Sequence, residues 1–568
     1  MEIIYKFEQS LSKAGITKTA SEYIRISLII AIITSLTAVI PMVIILNRLN
    51  QLSNLVVFLI IIFLLIVVSS IMFPYMKISL RAAEINNSLP LLITYLGGIS
   101  TSKASRDQLF EYSGEKQKEF GLGALEMKRV RTLATDWNLG YPEALSSVSS
   151  STPSDILSDF LSRFAQAMES GEKLEDFFKK EQKSSLDLYI SSYKRSLSSL
   201  DLLSEAYQAV NISYVFVTLT TLIISLLFGS GNVLNVLITN LVLLFGVNIP
   251  LLMAFKTSLI SDPLTMYKYN DRSLEKFNLI SFLMLGLILP LALVLLLMLS
   301  VPFWLSMTIV GVIIVPIGYL SENLERFVKR RDENFAVFVR TLGGTAEAMG
   351  GSTLHALQAI MSQRLGPLSE NLGSLVARLE FGIADEIAWA EFSKETGSSL
   401  IGRFISIYLE SVSIGGSPDQ TSKFVSENVE RILEVRKDRA QKISAIRGLV
   451  LPMHVTMVGI IIFMLKIIIL LTLIMTIGQS TQQGELASQA PLGASSIDST
   501  AIVFFFFNLI IIFLTLFNSL VITIPEQGLF RTMFKSTGIM FIVSGFTVLL
   551  VGKIADAMFQ SFLGGFTG

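Results

Sequence analysis

The residues that could do chemistry in this chain are few and poorly matched to one another. There is no cysteine in 568 residues, so no thiolate, disulfide or Cys metal site can form. The two histidines, His355 and His454, lie 99 positions apart, which leaves no His cluster for a metal or a haem and no Ser-His-Asp arrangement. A phosphate loop needs Gly-Lys followed by Ser or Thr. Gly552-Lys553 is followed by Ile554, and the glycine-rich stretch GGTAEAMGG at 343–351 lacks the lysine. That stretch reads as close helix packing. No catalytic, cofactor-binding or metal-binding residue is therefore assigned, and no nucleic-acid-binding feature is present.

What remains is placed cationic charge. Lys329-Arg330-Arg331 and Arg436-Lys437-Asp438-Arg439 are two basic clusters, and Lys466 stands alone in an apolar run. Each cluster has two readings: an anchor against anionic lipid headgroups, worth about 1 kcal/mol per charge, or a docking patch for an acidic cytoplasmic partner (Lys329, Arg330, Arg331, Arg436, Lys437 and Arg439). Lys466 sits about 16 Å from the end of its span at 1.5 Å per residue. Snorkelling or a shifted span boundary accounts for it, and an ion pair with Asp556 is the alternative. An ion pathway needs more intramembrane carboxylates than the sequence supplies. His454 reads as a satisfied interfacial side chain, and His355 as solvent-facing or capping. Ser146–Ser151 reads as a loop ahead of an N-cap.

The elements that hold these residues follow from composition. Only 16% of residues are charged and 51% are hydrophobic, against about 25% charge in a soluble protein. The deficit is concentrated in apolar runs long enough to span a bilayer, which needs about 20 residues. Nine spans are predicted: Ile24–Leu46, Leu55–Tyr75, Ile212–Gly229, Val233–Ala254, Leu279–Ser300, Phe303–Leu320, Leu449–Ile477, Ala501–Ile524 and Gly538–Ala557. No removable signal peptide is expected. With the N-terminus in the cytoplasm, 41 of the 45 Lys and Arg fall inside and only Arg48 falls clearly outside. The C-terminus then lies outside.

Five regions result. Residues 1–75 hold the N-terminal segment and first span pair, and 76–211 form a cytoplasmic helical domain. Residues 212–320 hold four spans, 321–448 form a second cytoplasmic domain, and 449–568 hold three spans with a polar outer loop at 478–500. The two cytoplasmic blocks echo each other. Phe160-Leu161-Ser162-Arg163-Phe164 with Gly171 aligns with Phe404-Ile405-Ser406-Ile407-Tyr408 with Gly415, each offset by 244. Val425, Val429 and Ile432 mark an amphipathic helix over 421–447 running into the span at Leu449. The fold expected is all-α: a polytopic membrane protein with two related cytoplasmic helical bundles.

Arg81-Ala-Ala-Glu84 followed by Leu89-Pro90-Leu91-Leu92-Ile93-Thr94-Tyr95-Leu96, then Ser100 and Ser102, resembles the opening of the F domain in membrane platform proteins of type II secretion and type IV filament machines. Arg331-Asp-Glu333 with Leu342-Gly-Gly344 opens a looser second copy without the Leu-Pro. Leu11-Ser-Lys-Ala-Gly15-Ile16 and Glu22-Tyr23, with nine spans, resemble the archaeal branch. The resemblance implies a non-enzymatic platform for an archaellum or archaeal pilus. Its implied partners are a hexameric secretion ATPase on the cytoplasmic side, pilin- or archaellin-like filament subunits, membrane lipids and a second copy in a homodimer. The rival readings are a secondary transporter, which needs broken helices and buried carboxylates, and an ATPase-driven permease subunit.

Overall fold

The computed structural model describes residues 2–16, 18–37, 55–102, 104–228, 233–260, 262–265, 301–361, 366–481 and 497–564. The predicted span Leu279–Ser300 and most of the loop at 478–500 lie outside the described residues, as does the end of the predicted span Ile24–Leu46. Among the described residues the secondary structure is helical, with one isolated bridge between Thr265 and Ser398. This is an all-α polytopic membrane protein.

The helices in chain order are α1 Glu2–Lys13, α2 Ala20–Thr37, α3 Leu55–Ser100, α4 Arg106–Glu115, α5 Gln117–Phe120, α6 Leu122–Thr135, α7 Tyr141–Ser151, α8 Asp155–Ser170 and α9 Leu174–Phe228. They continue with α10 Val233–Thr257, α11 Phe303–Ala348, α12 Thr353–Met361, α13 Ser369–Glu380, α14 Asp385–Thr396, α15 Ser399–Ser413, α16 Pro418–Thr481, α17 Ile497–Thr523 and α18 Met533–Gly564. Six of them, α9, α10, α11, α16, α17 and α18, are long and apolar enough to cross a membrane among the described residues. They cover the predicted spans from Ile212–Gly229 onward, apart from Leu279–Ser300 and the end residues Gly229, which lies outside the described residues, and Ile524.

The order of helices repeats. A 46-residue helix (α3, α11) is followed by short ones of 10 and 9 residues (α4, α12), then 14 and 12 (α6, α13), 11 and 12 (α7, α14), and 16 and 15 (α8, α15). Each series ends in a long helix, α9 of 55 and α16 of 64 residues. The four-residue α5 appears only in the first series among the described residues. Local chemistry explains the shared punctuation. Gly171 (φ 71°) and Gly415 (φ 94°) follow α8 and α15 in left-handed conformations that side-chain-bearing residues rarely adopt.

Two compact units can be distinguished, residues 1–189 with 406–428 and residues 190–405 with 429–568. The first is built on an aromatic cluster: Phe160, Phe164, Phe177 and Phe178 lie with ring centroids 5.1–6.5 Å apart, and Phe110 stacks on Phe164. On α8 the buried positions Leu157, Phe160, Leu161, Phe164 and Met168 recur at helical spacing, which drives that face inward. In the second unit Phe335, Phe338, Trp389 and Phe392 form an apolar contact between α11 and α14, the counterparts of α3 and α7.

One local expectation is corrected. Ser146–Ser151 belongs to helix α7 and is not a loop. Ala144, Leu145 and Val148 bury one face, and Ser150 and Ser151 return their hydroxyls to the Ser147 carbonyl, so the serines do not compete the helix away. The N-cap expected after that run is present, and it is Ser154 at the start of α8. In the stretch 343–351, Gly343 and Gly344 complete the last turns of α11. Gly350 (φ 69°) and Gly351 (φ 90°) then turn the chain out of it.

Candidate functional site

The polar centre of the second unit is a cavity of about 800 Å3 where α11, α16 and the link between α17 and α18 meet. On α11, Glu322, Glu325, Lys329 and Asp332 follow at steps of three and four, so helical geometry puts them on one face. Arg436, Arg439, Ile443 and Arg447 do the same on α16. Glu526 and Thr532 come from the link and Lys535 from the first turn of α18.

Arg436 is the hub. Its Nε and Nη2 donate to the two carboxylate oxygens of Asp262 at 2.6 and 2.7 Å, and its Nη1 donates to Asp332 at 2.8 Å. The three side chains are 9% exposed or less. Ser398 donates to the other Asp332 oxygen and, as N-cap of α15, accepts from the Ile401 amide at 3.0 Å. Burial raises the Asp262 carboxyl, but the charge and hydrogen bonds of Arg436 outweigh that and hold it below the usual carboxylate range. Burial pushes Asp332 up to about 6, because Arg436 is shared and Ser398 only partly compensates. Burial alone would lower the Arg436 guanidinium, yet the two carboxylates keep it firmly protonated.

The surrounding charges are also engaged. Arg439 donates to the Gln527 side chain at 3.0 Å, and Gln527 in turn holds the Ile260 carbonyl and the Asp262 amide at 2.8 and 2.7 Å. Gln527 has φ of 49°, a conformation a side-chain-bearing residue keeps only when its surroundings fix it. Glu325 accepts from the Leu529 amide at 2.6 Å and from Thr532. Lys535 pairs with Glu322, and Arg447 with Glu526. A buried charge that loses its partner costs about 3–5 kcal/mol, so this network works as a lock between three helical elements.

Of the basic residues singled out by sequence, Lys329, Arg436, Lys437 and Arg439 line this one cavity. Arg331 instead donates to the last carbonyls of α14, those of Glu395 and Thr396, at 3.1 and 3.0 Å. That is the favoured place for a cation at a helix C-terminus. Lys329, Arg330 and Lys437 are exposed, and Lys329 approaches Glu325 at 3.8 Å. Lys466 meets Asp556 at 2.7 and 2.9 Å. His355 accepts from or donates to Ser352 at 2.9 Å at the start of α12 and is exposed.

His454 is fully buried and lies in a hydrogen-bonded chain across four membrane helices. Tyr207 donates to Asn518 at 2.6 Å, Asn518 Nδ2 reaches His454 Nδ1 at 2.8 Å, and His454 Nε2 reaches Ser544 at 2.6 Å. The amide donates, so Nδ1 accepts and the proton sits on Nε2. Sequence reasoning missed Asp262, Asp332 and Ser398. Ser398 had a signal, since it lies 244 positions after the N-cap Ser154. The two aspartates had none. Among the described residues no group of His, Asp or Glu is arranged to hold a metal ion.

Residues 92–222 match the domain described as type II secretion system (T2SS), protein F. Over 397 residues, 68% of this chain and 70% of the relative, the sequence is 30% identical to Flagella accessory protein J of Methanocaldococcus jannaschii. The chain belongs to the flagella accessory protein J family. A second member, Flagella accessory protein J of Methanococcus voltae, is 29% identical over 398 residues, 68% of this chain and 71% of that one. No solved structure matches. The F-domain match runs from the last turns of α3 into α9, so in this chain it covers the first helical series. The protein is a multi-pass protein of the cell membrane.

Proposed function

We propose that the protein is an integral-membrane platform for assembly of an archaeal type IV pilus-like filament such as the archaellum. It couples a cytoplasmic hexameric secretion ATPase to insertion of filament subunits and, in an archaellum, passes on rotation. The chemistry of hydrolysis belongs to the ATPase; the platform moves. The observation that carries the reading is α11. This helix runs unbroken from the apolar stretch beginning at Phe303 to Ala348 in the second helical series, 46 residues, or about 69 Å. A continuous helix transmits a push or twist along its axis, which is what a machine with its fuel on one side of a bilayer and its product in or beyond it requires.

The orientation that fits places the N-terminus and the domains at 76–211 and 321–448 in the cytoplasm and the C-terminus outside, with two copies beneath the ring. The exposed cations Lys329, Arg330 and Lys437 are offered to anionic lipid or an acidic partner face. Lys466 serves the helix pair through Asp556.

Deletion of the protein, followed by electron microscopy and a swimming assay, tests the reading. Filament loss with lost motility is expected for an archaellum, and lost adhesion with intact swimming for a pilus. Cells that keep every filament would exclude the platform role. Because the chain has no cysteine, single-Cys labelling tests orientation without background. A Cys at Ser488, which lies outside the described residues, should react in intact cells.

A further inference from the structure

Each helical series exposes an aromatic side chain at the same place. Trp137 and Phe381 are 72% and 88% exposed, and they stand 244 positions apart, the offset that relates the two series. Trp137 follows α6 and Phe381 follows α13. The next residue in each is left-handed, Asn138 at φ 56° and Gly382 at φ 76°. The residue after that is an exposed aliphatic, Leu139 at 44% and Ile383 at 39%. Both tips are pinned back onto the helix they leave: the Leu139 amide donates to the Leu133 carbonyl at 3.2 Å, and the Ile383 amide to the Arg378 carbonyl at 3.1 Å. These are built projections that hold an aromatic ring in water, and no packing need within the series explains them.

Their surroundings say what they fit. Residues 132–162 carry Asp136, Glu143, Asp155 and Asp159 and no Lys or Arg; residues 379–393 carry Glu380, Asp385, Glu386 and Glu391 and again no Lys or Arg. The cations that bound these stretches, Arg131, Arg163, Arg378 and Lys394, are paired with Asp107, Glu181, Glu395 and Glu391. Anionic headgroups are therefore repelled. The tips also stand far from the bilayer. Tyr141 beside the first tip donates to Asp107 at 2.8 Å, beyond the end of α3 at Ser100. At 1.5 Å per residue, Ser100 is about 37 Å past the apolar run ending at Tyr75. Glu380 beside the second tip accepts from Gln358 at 2.8 Å, beyond the end of α11 at Ala348, itself about 42 Å past Leu320.

We propose that the Trp137–Leu139 and Phe381–Ile383 tips are the docking points for the cytoplasmic ATPase, each entering an apolar pocket rimmed by Lys or Arg. Two like tips suit a ring because its identical subunits present identical pockets. Exposed aromatics on a rigid base lose little conformational freedom on docking and are the usual energetic anchors of interfaces. This proposal rests on the platform reading above and assigns its partner contact to residues distinct from the exposed cations.

The test uses the full chain in lipid nanodiscs and the purified hexameric secretion ATPase from the same organism, with binding read by biolayer interferometry. Trp137→Ser and Phe381→Ser are each expected to weaken binding about 30-fold, and the double variant about a thousandfold. Trp137→Phe with Phe381→Tyr should bind within a few-fold of wild type, and raised salt should weaken the wild-type complex. Both positions are exposed, and an unchanged melting temperature confirms that the variants fold. Wild-type binding that survives in the double variant overturns the tips and leaves the platform reading standing. No wild-type binding overturns both.

Discussion

Ser154 and Ser398 stand 244 positions apart and start equivalent helices. In the first series Ser154 accepts from the Leu157 amide and donates to Asn86 of α3. In the second, Ser398 accepts from the Ile401 amide and donates to Asp332 of α11. The amide needs nothing further, but the carboxylate does. Asp332 is 1% exposed, and its charge draws in Arg436, which draws in Asp262. A one-residue difference in the acceptor thus converts a local cap into a network reaching α16 and the segment after α10. The first series places its ion pairs elsewhere, and one joins α8 to α9. Arg163 on α8 meets Glu181 on α9 at 2.7 Å, whereas the positions 244 later, Ile407 and Val425, are buried and apolar. The same arrangement of helices is fastened by charge in different places, so fastening is separable from the fold.

The largest effect that would break this contrast is at the hub. Arg436→Met leaves two buried carboxylates facing each other and should cost about 3–5 kcal/mol, read as a sharp drop in melting temperature in detergent. Adding Asp262→Asn and Asp332→Asn should recover most of the loss. A single Arg436→Met protein that melts with wild type would mean the network fastens nothing.

Next comes pH. The native Asp332 carboxyl keeps its proton to about 6, while the unfolded one releases it near pH 4 (about 3.9). The stabilisation from this group is therefore complete below about pH 4 and is lost as pH rises through about 6, on the order of 3 kcal/mol in all. Asp332→Asn should flatten that part of a stability profile taken between pH 4 and 7. The first series, with Asn86 at this position, already lacks the effect.

Smaller again are the caps. Ser154→Ala should cost about 1 kcal/mol. Ser398→Ala should cost more, since a hydrogen bond to a carboxylate goes with it. Equal losses at the two sites would remove the distinction. Smallest is the double change Arg163→Ile with Glu181→Val, which gives the first series the residues of the second. Arg163 is 43% exposed, and the exchange should alter stability by less than about 1 kcal/mol in equilibrium unfolding.

Six of the nine expected spans and the repeated order of helices were legible because their signals are local or periodic. A 20-residue apolar run has few alternatives, the alignment of Phe160 with Phe404 falls within α8 and α15, and that of Gly171 with Gly415 marks their ends. The wiring was not legible. Arg436 and Asp262 are 174 positions apart, and nothing near Arg436 distinguishes a buried guanidinium from the exposed Lys437 beside it. Arg331 reads as part of a basic patch, although the fold directs it onto the α14 carbonyls. His454 was expected at an interface and lies in a chain of buried hydrogen bonds, because its partners Asn518 and Ser544 sit on other helices.

Helices α11 and α18 meet through glycines seven residues apart on each, Gly311 with Gly318 and Gly538 with Gly545. A methyl on Gly311 would stand 2.6 Å from the Gly538 carbonyl oxygen, and one on Gly545 would stand 2.5 Å from that of Trp304. Backbone therefore rests on backbone, as small residues permit between membrane helices. Val315 and Thr308 of α11 and Ile542 of α18 seat against the opposing glycines, so the two rods are keyed together with no cushion to absorb displacement. A force applied to the far end of α11 would therefore pass to α18 across that seam.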